Sequence, residues 1–64
     1  MSDFKTRLLD EKAQLDERRS KLSPFIDSEK FKELPQVQQS LLKAQYGVMS
    51  TYSVILNERI ENLG

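Results

Sequence analysis

The sequence predicts an all-α protein: two main helices in an antiparallel hairpin with a short helical connector, assembling as a homo-oligomeric helical bundle. Three observations carry this. Only two glycines and two prolines interrupt 64 residues, and β-branched residues do not alternate with polar ones, so nothing reads as a strand. Apolar residues recur at spacings of three and four. The chain is also too short to bury a large core and has no cysteine or histidine for a disulfide or zinc staple. Assembly with further copies is the remaining staple.

The first helix is expected over about residues 3–22. Ser2 is a suitable N-cap, and Asp3 places negative charge at the positive end of the helix dipole. Phe4, Leu8, Leu15, Leu22 and Phe25 follow a four-then-three rhythm once Glu11 and Arg18 are included. The seam is therefore apolar at alternate layers and charged between them. Leu9 and Ala13 widen it.

Residues 23–34 are read as a connector. Proline disfavours helical geometry in the residue before it, so Ser23-Pro24 should end the first helix or bend it, with a kinked continuation through Phe25 and Ile26 as the alternative. Asp27-Ser28 offers a second cap, followed by a short turn of helix through Phe31 and Leu34. Phe25, Ile26, Phe31 and Leu34 anchor this stretch, the last two on the final helix.

The last helix is expected from Pro35 to about Asn62, within a single domain of residues 1–64. It carries two stripes. One contains Leu42, Gln45, Met49, Tyr52, Leu56, Arg59 and Leu63; the other contains Val37, Leu41, Ala44, Val48, Thr51 and Ile55. One stripe is enough to pack on the first helix, and the second implies a further neighbour. Gly47 lies inside this helix at a cost of about 1 kcal/mol relative to alanine, which fits close approach of another backbone or a ligand, or equally a tolerated surface glycine. Gln36, Gln38 and Gln39 are expected to face solvent.

Charge narrows the partners. Ten basic and ten acidic side chains cancel. Binding to a nucleic acid polymer is driven by counterion release and needs a basic surplus, so it is not expected. No apolar run is long enough to span a membrane, and the start lacks the apolar stretch of a leader, so a cytoplasmic protein is expected. Residues 1–34 hold eight basic and eight acidic side chains, whereas residues 35–64 hold only Lys43, Glu58, Arg59 and Glu61. The first half reads as a solvated, charge-laced helix and the second as a helix covered on more than one side.

Catalytic signals are weak. There is no histidine base, no cysteine nucleophile and no phosphate loop. Asp10-Glu11 and Asp16-Glu17 are sequence neighbours that project about 100° apart in mixed charge runs typical of a solvated face. No enzymatic activity, metal or cofactor is expected.

The polar residues within the apolar seams are the sharper signal. Glu11 and Arg18 lie two helical turns apart, and Gln45, Tyr52 and Arg59 share that spacing. In an antiparallel hairpin Glu11 would meet Arg59, and Arg18 would face Gln45 or Tyr52. One reading makes these pairs the determinants of register. The other makes Arg18, Lys21, Gln45, Tyr52 and Arg59, with Tyr46 beside them, the lining of a pocket between helices or protomers. Arginine forks match phosphate, and tyrosine offers a stacking surface with a hydroxyl.

The string Arg7-Leu8-Leu9-Asp10-Glu11, then Leu15, Glu17-Arg18, Lys21-Leu22 and Phe25-Ile26 resembles small bacteriophage helical proteins related to a crAss-like phage small protein. Leu41-Leu42-Lys43, Gln45, Met49, Tyr52, Leu56 and Arg59 extend the resemblance to about residue 60. It implies a phage origin. Small phage proteins of this kind often act on host defence. One expectation is sequestration of a small anionic nucleotide-type immune signal, a cyclic nucleotide or an ADP-ribose derivative, at protomer junctions. The alternative is a protein–protein inhibitor or adaptor that binds a host factor through a helical face.

Overall fold

A computed structural model describes residues 2–63. Helix α1 spans Ser2–Ile26, α2 spans Glu29–Lys32, and α3 spans Gln36–Glu61. Among the described residues there is no strand. Helices α1 and α3 pack against each other as the arms of a hairpin, and α2 lies in the turn. Among the described residues no helix is long and apolar enough to cross a membrane.

Helix α1 runs four residues beyond its expected end, with Pro24 inside its last turn. Proline there removes one backbone bond, but tertiary packing outweighs the local penalty. The continuation half-buries Phe25 and Ile26. It also sets the Phe25 ring edge-on to Phe31, with centroids 6.1 Å apart and planes at 88°. Phe31 is almost wholly buried, and the Lys43 ammonium of α3 sits 5.8 Å from its ring centroid.

Ser28 caps α2 as its sequence position predicts. Its hydroxyl accepts from the Phe31 N–H at 3.3 Å and donates to the Phe25 carbonyl at 2.6 Å. Pro35 has no side-chain bond to offer at the start of α3. Gln39 serves the other side of the turn: its amide donates to the Leu34 carbonyl at 2.8 Å and the Lys32 carbonyl at 3.3 Å. This half-buried glutamine corrects the expectation that it faces solvent. The exposed carbonyls of the turn need a donor, and the side chain one helical turn into α3 reaches them.

The core is small. Leu8, Leu15 and Leu56 are buried, and Met49 and Ile60 pack against them. Leu56 has no exposed surface. Leu22 and Leu42 are half-buried, whereas Phe4 and Leu9 stay exposed. The second stripe of α3 is open: Val37, Leu41, Val48 and Ile55 are each at least half exposed. The molecule measures 47 × 15 × 13 Å with a radius of gyration of 14.7 Å. A compact domain of this length would have about 11 Å. The chain is a rod with one covered seam and one uncovered face.

Candidate functional site

The side chains at the hairpin seam sort onto its two flanks. Angular position along α3 decides which. Leu56 and Met49 point at α1, so residues at the positions of Ser50, Ser53 and Asn57 fall on one flank. Those at Gln45 and Tyr52 fall on the other.

The first flank is a hydrogen-bonded polar ladder. Asp16 of α1 accepts from Lys12 Nζ at 2.7 Å, Arg19 Nη1 at 2.9 Å and the Ser53 hydroxyl of α3 at 2.6 Å. Arg19 Nε donates to the Ser50 hydroxyl at 3.3 Å, and that hydroxyl donates to the Tyr46 carbonyl at 3.0 Å. The Arg19 guanidinium lies 5.9 Å from the centroid of the Tyr46 ring. Lys12, Ser53 and Arg19 together hold the Asp16 carboxyl far below the usual carboxylate range, against an opposing pull from partial burial. Ser53 is buried, and its one polar side-chain atom is satisfied.

This ladder links the two long helices, and it is not the pair expected from the seam spacing. Among the described residues the four ion pairs each lie within one helix, and none joins Glu11 to Arg59. Both of those side chains are exposed. The sequence signal for the ladder was present: Lys12, Asp16 and Arg19 are spaced four and three apart, facing Tyr46, Ser50, Ser53 and Asn57 at four, three and four. Short hydroxyls opposite an acid within a solvated-looking charge run conceal it.

The second flank carries the candidate site. Arg18, Lys21 and Gln45 line one open pocket of about 390 Å³ with Leu22, Phe25 and Met49. Two cations and an amide thus rim an apolar floor. Arg18 has no ion-pair partner among the described residues. Lys21 meets Glu17 at 3.2 Å, but both are largely exposed, so that contact is weak. Next to it on α3 lies a groove of about 510 Å³ lined by Ala44, Gly47, Val48, Thr51, Tyr52 and Ile55. Tyr52 is therefore one groove away from Arg18.

The remaining expected residues are placed elsewhere. Tyr46 is one residue from Gln45, about 100° around the helix, and belongs to the ladder flank with Asp16, Arg19, Ser20 and Ser23. Arg59 is exposed near the end of α3 and lines none of these cavities. Of the six sequence-selected residues, one hairpin brings three together.

The sequence model of a family described as Sequestin matches residues 2–62. No curated protein and no solved structure matches the chain.

Proposed function

The chain belongs to the Sequestin family, and on that premise we propose that it is a non-catalytic binding protein that sequesters a small anionic nucleotide-type signal. The observation that carries this reading is the pocket rimmed by Arg18, Lys21 and Gln45 over Leu22, Phe25 and Met49. Arginine and lysine neutralise phosphate, the amide orients a polar edge, and the apolar floor accepts a ring face. Arg18 is exposed and has no ion-pair partner among the described residues, which leaves its guanidinium open to a ligand. The family name itself denotes sequestration, which agrees with capture rather than turnover.

The wider reading is counter-defence by a phage in the host cytoplasm, with the signal held at protomer junctions. Support for the phage setting is the sequence resemblance described above. The test is direct. Purified protein is incubated with a panel containing cyclic dinucleotides and ADP-ribose derivatives, freed of unbound ligand, and heated. Release of an intact nucleotide supports sequestration. No capture and no thermal shift across the panel refutes it.

A second reading, an inhibitor or adaptor that binds a host protein, draws on one observation: the exposed apolar face of α3. Stoichiometric enrichment of one host protein on the immobilised chain, together with no nucleotide capture, would favour it.

A further inference from the structure

The bend carries more structure than closing the hairpin needs. Two antiparallel helices can be joined by about 2–5 residues. Here residues 27–35 make the connection and include the extra helix α2. That helix buries one side chain, Phe31, which is 3% exposed and stands apart from the cluster of Leu8, Leu15 and Leu56. Phe31 therefore serves something other than the middle of the seam.

What α2 holds is Phe25. The Phe25 and Phe31 rings meet edge-on, as described above. From the cap of the same helix, the Ser28 N–H donates to the Phe25 carbonyl at 3.0 Å, and the Ser28 hydroxyl donates to it at 2.6 Å. One residue thus supplies two donors to that carbonyl, and Phe25 is fixed by its backbone and by its ring. The Lys43 ammonium over the Phe31 ring ties the same group to α3.

Phe25 needs this hold because Pro24 precedes it. Proline leaves the last turn of α1 without the backbone donor that would reach Ser20, and it disfavours helical geometry at Ser23. Local chemistry therefore favours unwinding this turn. Phe25 is the residue whose departure matters, since it lines the pocket with Arg18, Lys21, Gln45 and Met49.

We propose that α2 is a clamp on this pocket, with Ser28 and Phe31 as positioning residues that keep Phe25 in place as its aromatic wall. Arg18 and Lys21 can neutralise an anionic group with or without the wall. The wall decides whether a ring attached to that group is held as well. The clamp is a property of the chain alone; its effect on capture rests on the binding function proposed above.

Methionine methyl NMR without ligand tests the clamp. The chain has two methionines, and Met49 shares the pocket with Phe25, so its methyl resonance reports the ring. Phe25→Leu is expected to move that resonance, and Phe31→Leu to move it the same way with helical circular dichroism retained. Ser28→Ala, which leaves both rings present, is expected to do so in smaller measure. It decides the matter if Phe31→Leu loses helix. A Met49 resonance that either phenylalanine variant leaves in place, with helix retained, overturns the clamp. Adding Pro24→Ala to Phe31→Leu is expected to restore the wild-type resonance, because the turn then holds itself. Adding Gly47→Ala, which favours helix elsewhere, is not. Restoration by both marks Phe31 as general stability, and restoration by neither removes the role given to Pro24; each overturns the proposal. With ligand, the probes are cyclic di-AMP and inorganic pyrophosphate. Phe31→Leu is expected to weaken cyclic di-AMP by about tenfold, the scale of one aromatic contact, and to leave pyrophosphate unchanged. Equal weakening of both overturns the positioning role. A wild type that binds neither probe counts against the binding function alone, while the Met49 resonance still decides the clamp.

Discussion

The Ser53 hydroxyl donates to Asp16 Oδ1 at 2.6 Å across the hairpin, between residues 37 apart in sequence. It is the shortest polar link between the two long helices among the described residues, and its donor is buried. Replacing Ser53 with alanine leaves the carboxylate without that donor. Thermal unfolding of Ser53→Ala is expected to fall by about 5 °C, the scale for one lost hydrogen bond in a domain of this size. An unchanged midpoint would show the bond to be dispensable.

The same carboxylate makes stability depend on acid. Asp16 is depressed by Lys12 first, then Ser53 and Arg19. A depressed folded value means that its stabilisation is complete above the unfolded value of about 3.9. That stabilisation declines as pH falls further, because the unfolded chain then binds the proton more readily. Urea midpoints of the wild type should therefore be flat with respect to this group near neutrality and drop below about pH 4. Asp16→Asn should show a shallower drop, and identical acid limbs would count against the assignment.

Among the described residues Leu56 is the one large side chain with no exposure, and the core around it is only a few residues deep. Leu56→Ala is expected to remove about 2–5 kcal/mol. That is most of what a chain of this length holds, so loss of cooperative unfolding by circular dichroism at 25 °C is the expected outcome. Leu9→Ala, at an exposed position, should shift stability by less than about 0.5 kcal/mol.

The two flanks of the seam predict opposite sensitivities in nucleotide capture. Arg18→Ala should weaken capture by about tenfold or more, the value of one charged hydrogen bond. Tyr46→Ala, on the ladder flank, should change it little. Isothermal titration with a nucleotide retained in the panel reads both, and equal losses would place the ligand elsewhere.

Gly47→Ala tests the open position in the middle of α3. The new methyl group meets nothing in the chain, so the helix should gain up to about 1 kcal/mol. Chemical denaturation is expected to show a higher midpoint, and an unchanged or lower one would show that the glycine is required within the chain.

The hairpin and its two stripes were legible in the sequence because leucine spacing reports helix faces directly. Leu8, Leu15 and Leu56 are core, and the Val37-to-Ile55 stripe is the one that α1 leaves open. Arg18 and Lys21 were legible as neighbours because residues three apart share a helix face, and Gln45 because an antiparallel hairpin sets it opposite Arg18. Tyr46 and Arg59 were grouped with them by proximity in sequence and by heptad position. Neither criterion fixes which flank of the seam or which end of the rod a side chain occupies. The Asp16 ladder was hidden for a different reason. A carboxylate among charges looks solvated until a serine on a distant helix is brought to it. Pro24 marked a boundary by local geometry, and the Phe25–Phe31 contact overrode it.

The turn between the helices has a kinetic consequence. Its bonds are short-range: Ser28 reaches three residues back, and Gln39 reaches five and seven. Closing loops this small sacrifices little chain entropy, so the bend forms before the distant seam is assembled. The arms then zip outward from Phe31, each new contact joining residues already held close. Folding should start at the bend and finish at the open ends, with Phe31 ordered in the transition state and Leu8 with Ile60 joining last.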